Sequence, residues 1–99
     1  MRLTDFEIES IKQQAVNHFG EDVHVYLFGS RTDDRKKGGD IDLFIQNQDD
    51  KKSDIKSKID FITDLILLLG DQKIDVILDN TNIKKTGFYK SILKTAILL

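Results

Sequence analysis

Two aspartates at the head of an otherwise apolar strand constrain this chain more than any other feature. The segment Asp40-Ile41-Asp42-Leu43-Phe44-Ile45-Gln46 alternates and then turns apolar, which is the pattern of an extended strand. In a strand, residues i and i+2 point to the same face, about 6.6 Å apart along the chain. Asp40, Asp42 and Phe44 therefore share one face, and Ile41, Leu43 and Ile45 share the other. The second set can bury itself in a core. The first sets two like charges side by side, and their repulsion raises at least one pKa unless a cation sits between them.

The neighbouring segments say what surrounds that strand. Thr4-Asp5-Phe6-Glu7 is a capping box, a threonine followed three residues later by a glutamate. Ile8, Ile11, Ala15, Val16 and Phe19 then recur at helical spacing and Gly20 supplies a stop, which predicts a helix over 5–19. Val23 to Phe28 is short, β-branched and aromatic, and reads as a buried strand ended by Gly29-Ser30. Residues 31–39 form a polar loop with room for one helical turn, and 47–53 a polar connection. From Asp54 to Leu69, Ile55, Ile59, Ile62, Ile66 and Leu69 mark a second helix, with Asp54 as cap and Gly70 after its end. Lys73 to Leu78 is a third strand. After a polar turn over 79–82, Phe88, Ile92 and Ala96, with Leu93 and Ile97, mark a last helix. The order is α-β-(turn)-β-α-β-α, or α-β-α-β-α-β-α if the turn counts as a helix. This is an α/β (α+β) domain with a small mixed sheet.

Composition narrows the class. Ninety-nine residues have room for one domain, spanning 1–99. Cysteine is absent, so disulfides and thiolate metal sites are excluded. Fifteen basic and seventeen acidic residues leave a net charge of −2. That balance argues against a chain whose main task is holding nucleic acid directly. It leaves room for a small anion such as a nucleotide, because a local site can oppose the global charge. No apolar run approaches the roughly 20 residues of a membrane span, and MRLTDFEIES lacks the apolar stretch of a signal peptide. The expected location is cytoplasmic.

The acids invite a metal. Magnesium relieves the repulsion of paired carboxylates and prefers their oxygen. Asp75 repeats the theme among Ile74, Val76, Ile77 and Leu78. If the second and third strands are adjacent, Asp75 joins Asp40 and Asp42. Three carboxylates can hold two metals about 3.5–4 Å apart, the clamp suited to in-line phosphoryl chemistry. Gly29 after a buried strand lets backbone approach a ligand closely. A short helix after it offers free N–H groups to an anion. The Ser30 hydroxyl can donate to a phosphate oxygen, and Arg31 can neutralise charge. No G-x-x-x-x-G-K-S/T phosphate loop occurs.

Phe28-Gly29-Ser30, a spacer, Asp40-Ile41-Asp42-Leu43 and a later isolated aspartate together resemble the DNA polymerase β-type nucleotidyltransferase superfamily. The small size resembles its minimal nucleotidyltransferases, often encoded beside a HEPN-domain partner and acting as antitoxins. The resemblance covers essentially the whole chain and implies a polymerase β-like nucleotidyltransferase fold. It implies that Gly29 and Ser30 hold the nucleotide triphosphate. Asp40 and Asp42 would ligate two magnesium ions. Asp75 would ligate the catalytic metal and help deprotonate an acceptor hydroxyl. That hydroxyl would attack the α-phosphate and expel pyrophosphate. In the antitoxin branch the donor is ATP and the acceptor is a tyrosine of the HEPN toxin, an RNase that adenylylation silences. The nine residues between Ser30 and Asp40 are one fewer than in many minimal members, and Gly38-Gly39 would help the shortened loop turn.

Plainer readings stand beside these. An Asp-x-Asp pair also occurs on exposed strand ends. An EF-hand reading of Asp40 fails because Ile45 stands where a glycine is needed. Gly29 can be a turn, Ser30 a helix cap and Arg31 a solvated charge. His18 and His24 have no ligand spacing. Tyr26 reads as core, and Tyr89 as core or interface. The runs Leu65 to Leu69 and Ala96 to Leu99 either pack together or form a partner interface, and the expectation favours an interface. Beside the enzyme stands one alternative from another class: a non-catalytic antitoxin that neutralises its partner by binding alone.

Overall fold

The computed structural model describes residues 3–29, 40–47, 54–79 and 87–99. Its first element is the expected helix, α1 (Asp5–Phe19). The capping box closes in both directions. The Thr4 amide donates to Glu7 Oε1 at 2.9 Å, and the Glu7 amide donates to Thr4 Oγ1 at 3.1 Å. Two of the free donors of the first turn are thereby satisfied. Ile11, Ala15 and Phe19 form its buried stripe.

Two strands follow, β1 (His24–Phe28) and β2 (Ile41–Gln46), then α2 (Ile55–Leu69) and β3 (Ile74–Leu78). β1 and β2 pair antiparallel, while β2 and β3 pair parallel. A parallel neighbour needs a crossover connection, and α2 lies in that crossover. Asp54 caps α2 by accepting from the Ser57 amide at 2.7 Å. That bond holds the Asp54 carboxyl below its ordinary range. Among the described residues no helix is long and apolar enough to cross a membrane.

The core lies on one face of the sheet. Leu27 of β1, Ile41, Leu43 and Ile45 of β2, and Val76 of β3 pack there against α1 and α2. Phe19 and Phe61 meet edge to face with ring centres 5.3 Å apart, a favoured aromatic geometry. The opposite face carries Phe44 against Tyr26 and Tyr89, with ring centres 6.1 and 5.9 Å away. Tyr89 belongs to α3 (Gly87–Thr95), so α3 reaches the second face through this ring.

One expectation needs correction. The last helix does not continue through Ala96 and Ile97. It ends at Thr95, and Ile97–Leu98 form a short strand, β4. β4 pairs antiparallel with β1 and completes the sheet order β3-β2-β1-β4. The unpaired side of β1 has backbone groups to satisfy. The Leu99 amide donates to Val25 O at 2.9 Å there. The rotation of α2 was left open by its spacing and is decided by the structure, with Ile62 and Leu69 packed against the core. Ile55, Ile59 and Ile66 are exposed, and the fully buried residues are Phe61 and Leu65. Phe61 turns inward because it fills the space against Phe19 and His18. In the 65–69 run, Leu65 is buried and Leu67 exposed. The helical turn allowed for within 31–39 lies outside the described residues.

Candidate functional site

Backbone pairing brings the acids together. In the parallel β2–β3 register Ile41 lies opposite Ile74 and Asp42 opposite Asp75. The Ile41 amide donates to Lys73 O at 3.1 Å, which extends the pairing one residue further. Strand alternation then puts Asp40, Asp42 and Asp75 on one face. Each offers a carboxylate oxygen, and the three oxygens lie within 4.8 Å of one another. Asp40 and Asp42 are half-buried, and Asp75 is exposed.

Such proximity has an electrostatic consequence. The Asp42 carboxyl is pushed above its ordinary value, first by burial and then by the negative charges of Asp75 and Asp40. A hydrogen bond with Asp75 acts in the same direction, and the Lys73 ammonium opposes it. Lys73 Nζ stands 3.5 Å from Asp40 Oδ2. The donor set is three carboxylates, which suits a hard divalent cation such as magnesium.

Gly29 borders the acids from the neighbouring strand. Phe28 pairs with Asp42 across β1–β2, so Gly29 leaves β1 beside that carboxylate. Its φ of +78° lies in the left-handed region, where L side chains are strained. A Cβ there would also run into Asp42 Oδ2 and stand 3.2 Å from Asp42 Cγ. Both facts keep a side chain away from the acids. Ser30 and Arg31, the other residues expected to bind phosphate, lie outside the described residues.

The remaining candidates take structural places. His18 Nε2 meets Asp64 Oδ2 at 2.7 Å and ties α1 to α2, in the layer away from the acids. Tyr26 is half-buried, and its hydroxyl donates to Gln46 Oε1 at 3.4 Å. Gln46 Nε2 in turn donates to Asp79 Oδ2 at 3.1 Å. A cavity lined by Lys12, His24 and Leu99 contains none of the three acids. Sequence reasoning passed over Lys73. The signal was present, since Lys73 stands two residues before Asp75 and so shares its strand face.

The family model described as "Polymerase beta, Nucleotidyltransferase" matches residues 9–99. No curated protein matches the chain. Among the described residues, the mixed sheet and three helices are consistent with the fold of that family. Because the match runs from within the first helix to the last residue, across every strand that carries an acid, this chain belongs to the polymerase β nucleotidyltransferase family.

Proposed function

We propose that this chain acts as one nucleotidyltransferase domain, moving AMP from ATP to a tyrosine hydroxyl of a partner HEPN toxin and so working as an antitoxin. The observation that carries the transfer is the convergence of Asp40, Asp42 and Asp75 within 4.8 Å, beside a glycine with no room for a side chain. In this reading Asp40 and Asp42 hold two magnesium ions, with Asp75 on the catalytic one. When bound, magnesium supplies positive charge for the phosphate oxygens and for the attacking oxygen.

The chain's own residues do the rest. Gly29, without a side chain, lets its backbone lie close against Asp42 and keeps the acid face free of a Cβ, and Ser30 and Arg31 bind the oxygens of the triphosphate. Asp75, the exposed member of the three, faces the arriving hydroxyl and accepts its proton. The hydroxyl oxygen forms a bond to the α-phosphorus. The bond from that phosphorus to the bridging oxygen breaks, and pyrophosphate leaves with the electron pair. This chemistry asks for positioning and charge rather than a covalent protein intermediate.

A protein acceptor is favoured by the surface. Ile55, Ile59 and Ile66 stand exposed along α2 at 73%, 55% and 37%, and an apolar stripe of that kind suits contact with another protein. The test is intact-mass spectrometry of the co-expressed neighbouring protein, incubated with this chain, magnesium and ATP. Mass gains in steps of AMP are expected, and none with Asp42→Asn. No gain while a stable complex still forms would replace this reading with neutralisation by binding alone.

A further inference from the structure

Resting on the proposed metal-dependent transfer, we infer that Lys73 is an exchangeable counter-charge: it pairs with Asp40 when no metal is bound and passes to the phosphates of the nucleotide when a divalent cation takes Asp40. Lys73 is held in place from the backbone. Its carbonyl accepts from the Ile41 amide at 3.1 Å, and the register beyond sets Asp42 against Asp75. Lys73 and Asp75 share a strand face, as do Asp40 and Asp42. The four residues therefore form two rungs on one face, Asp40 with Lys73 and Asp42 with Asp75. Three carry negative charge and one carries positive.

The pair is built to come apart. Lys73 Nζ lies 3.5 Å from Asp40 Oδ2, longer than a tight charged hydrogen bond. The Lys73 side chain is 70% exposed and that of Asp40 40%, so solvent screens the attraction. A divalent cation needs Asp40 oxygen as a ligand, and an ammonium at the same oxygen competes with it. Once displaced, the ammonium remains on its flexible four-carbon stem at the edge of the acid face. It is a mobile point charge with three donors. The anion delivered to that face is a polyphosphate, which an ammonium can hold as a point charge.

The inference predicts opposite changes in two affinities. Manganese binding to the nucleotide-free protein is read by electron paramagnetic resonance. ATP binding in saturating manganese is read by calorimetry. Lys73→Met should tighten manganese by roughly three- to tenfold, because a nearby positive charge is gone. The same variant should weaken ATP by a similar factor. Lys73→Arg keeps the charge and should restore both toward wild type. A merely structural lysine would move neither affinity, or both in one direction, and either result overturns the inference. Tighter manganese with unchanged ATP affinity overturns it too. The wild type and Asp40→Asn separate this from failure of the site itself. If the wild type binds no manganese, the metal site falls and the inference with it. If the wild type binds and Asp40→Asn does not, an unchanged Lys73→Met removes the inference alone.

Discussion

Asp42 carries an electrostatic conflict. It is hemmed in by Asp40, Asp75 and the backbone of Gly29, and its carboxyl is raised above the ordinary 3.8 by burial and by those two neighbouring charges. A folded pKa above the unfolded one means that the folded chain holds this proton more tightly. Asp42 therefore favours the fold below pH 3.8, and that contribution is lost as pH rises through the raised value. Asp42→Asn removes the conflict with almost no change in shape. In EDTA at neutral pH the variant should melt a few degrees above wild type, corresponding to less than about 1 kcal/mol after solvent screening. The gap should close as pH falls toward 3.8. Melting curves of both proteins across that range check it, and an Asn variant that melts lower at neutral pH contradicts it. The three acids themselves were legible from i, i+2 spacing and from an acid isolated in an apolar strand. Lys73 offered the same i, i+2 signal beside Asp75, but its place opposite Asp40 exists only once β3 lies beside β2.

Among the elements, α1 was readable almost to the residue. A capping box and a glycine stop are local features, and Thr4, Glu7 and Gly20 do in the structure what their types imply. α2 was readable in extent but not in rotation. Its isoleucines at 55, 59 and 66 repeat at helical spacing, yet Phe61 and Leu65 face the core. Periodicity identifies an apolar stripe and does not say which of two stripes meets the sheet. On α2 both sides are apolar, and the choice falls to the Phe19–Phe61 contact. Truncation separates the two faces. Phe61→Ala should cost about 3–5 kcal/mol, the range for an aromatic lost from a core. Ile59→Ser should stay within about 0.5 kcal/mol, as exposed substitutions do. Urea unfolding measures both, and a large loss at Ile59 would contradict the exposed placement.

At the scale of the whole molecule, the acid face is an assembly of three strands. β1 delivers Gly29, β2 delivers Asp40 and Asp42, and β3 delivers Asp75. A ligand seated there bridges elements far apart in sequence, so it should stabilise the entire fold. At one hundred times its dissociation constant, magnesium-ATP should raise the unfolding free energy by about 2.7 kcal/mol. EDTA should abolish that gain, and Asp42→Asn should show none. Denaturant titration with and without chelator reads the effect, and equal stabilisation after chelation would mean that ATP binds without the acids. The sequence by itself determined the three long strands, the limits of α1 and α2, and the three acids that the fold groups together. Those properties depend on neighbours within a few residues: alternation, capping and breaking. Only the tertiary structure decided that β2 and β3 run parallel in a register that sets Asp42 against Asp75. It also turned Ile55, Ile59 and Ile66 of α2 outward, and made Ile97–Leu98 a fourth strand. Each of those outcomes depends on which distant backbone or side chain is there to be paired or filled, and local pattern carries no record of that.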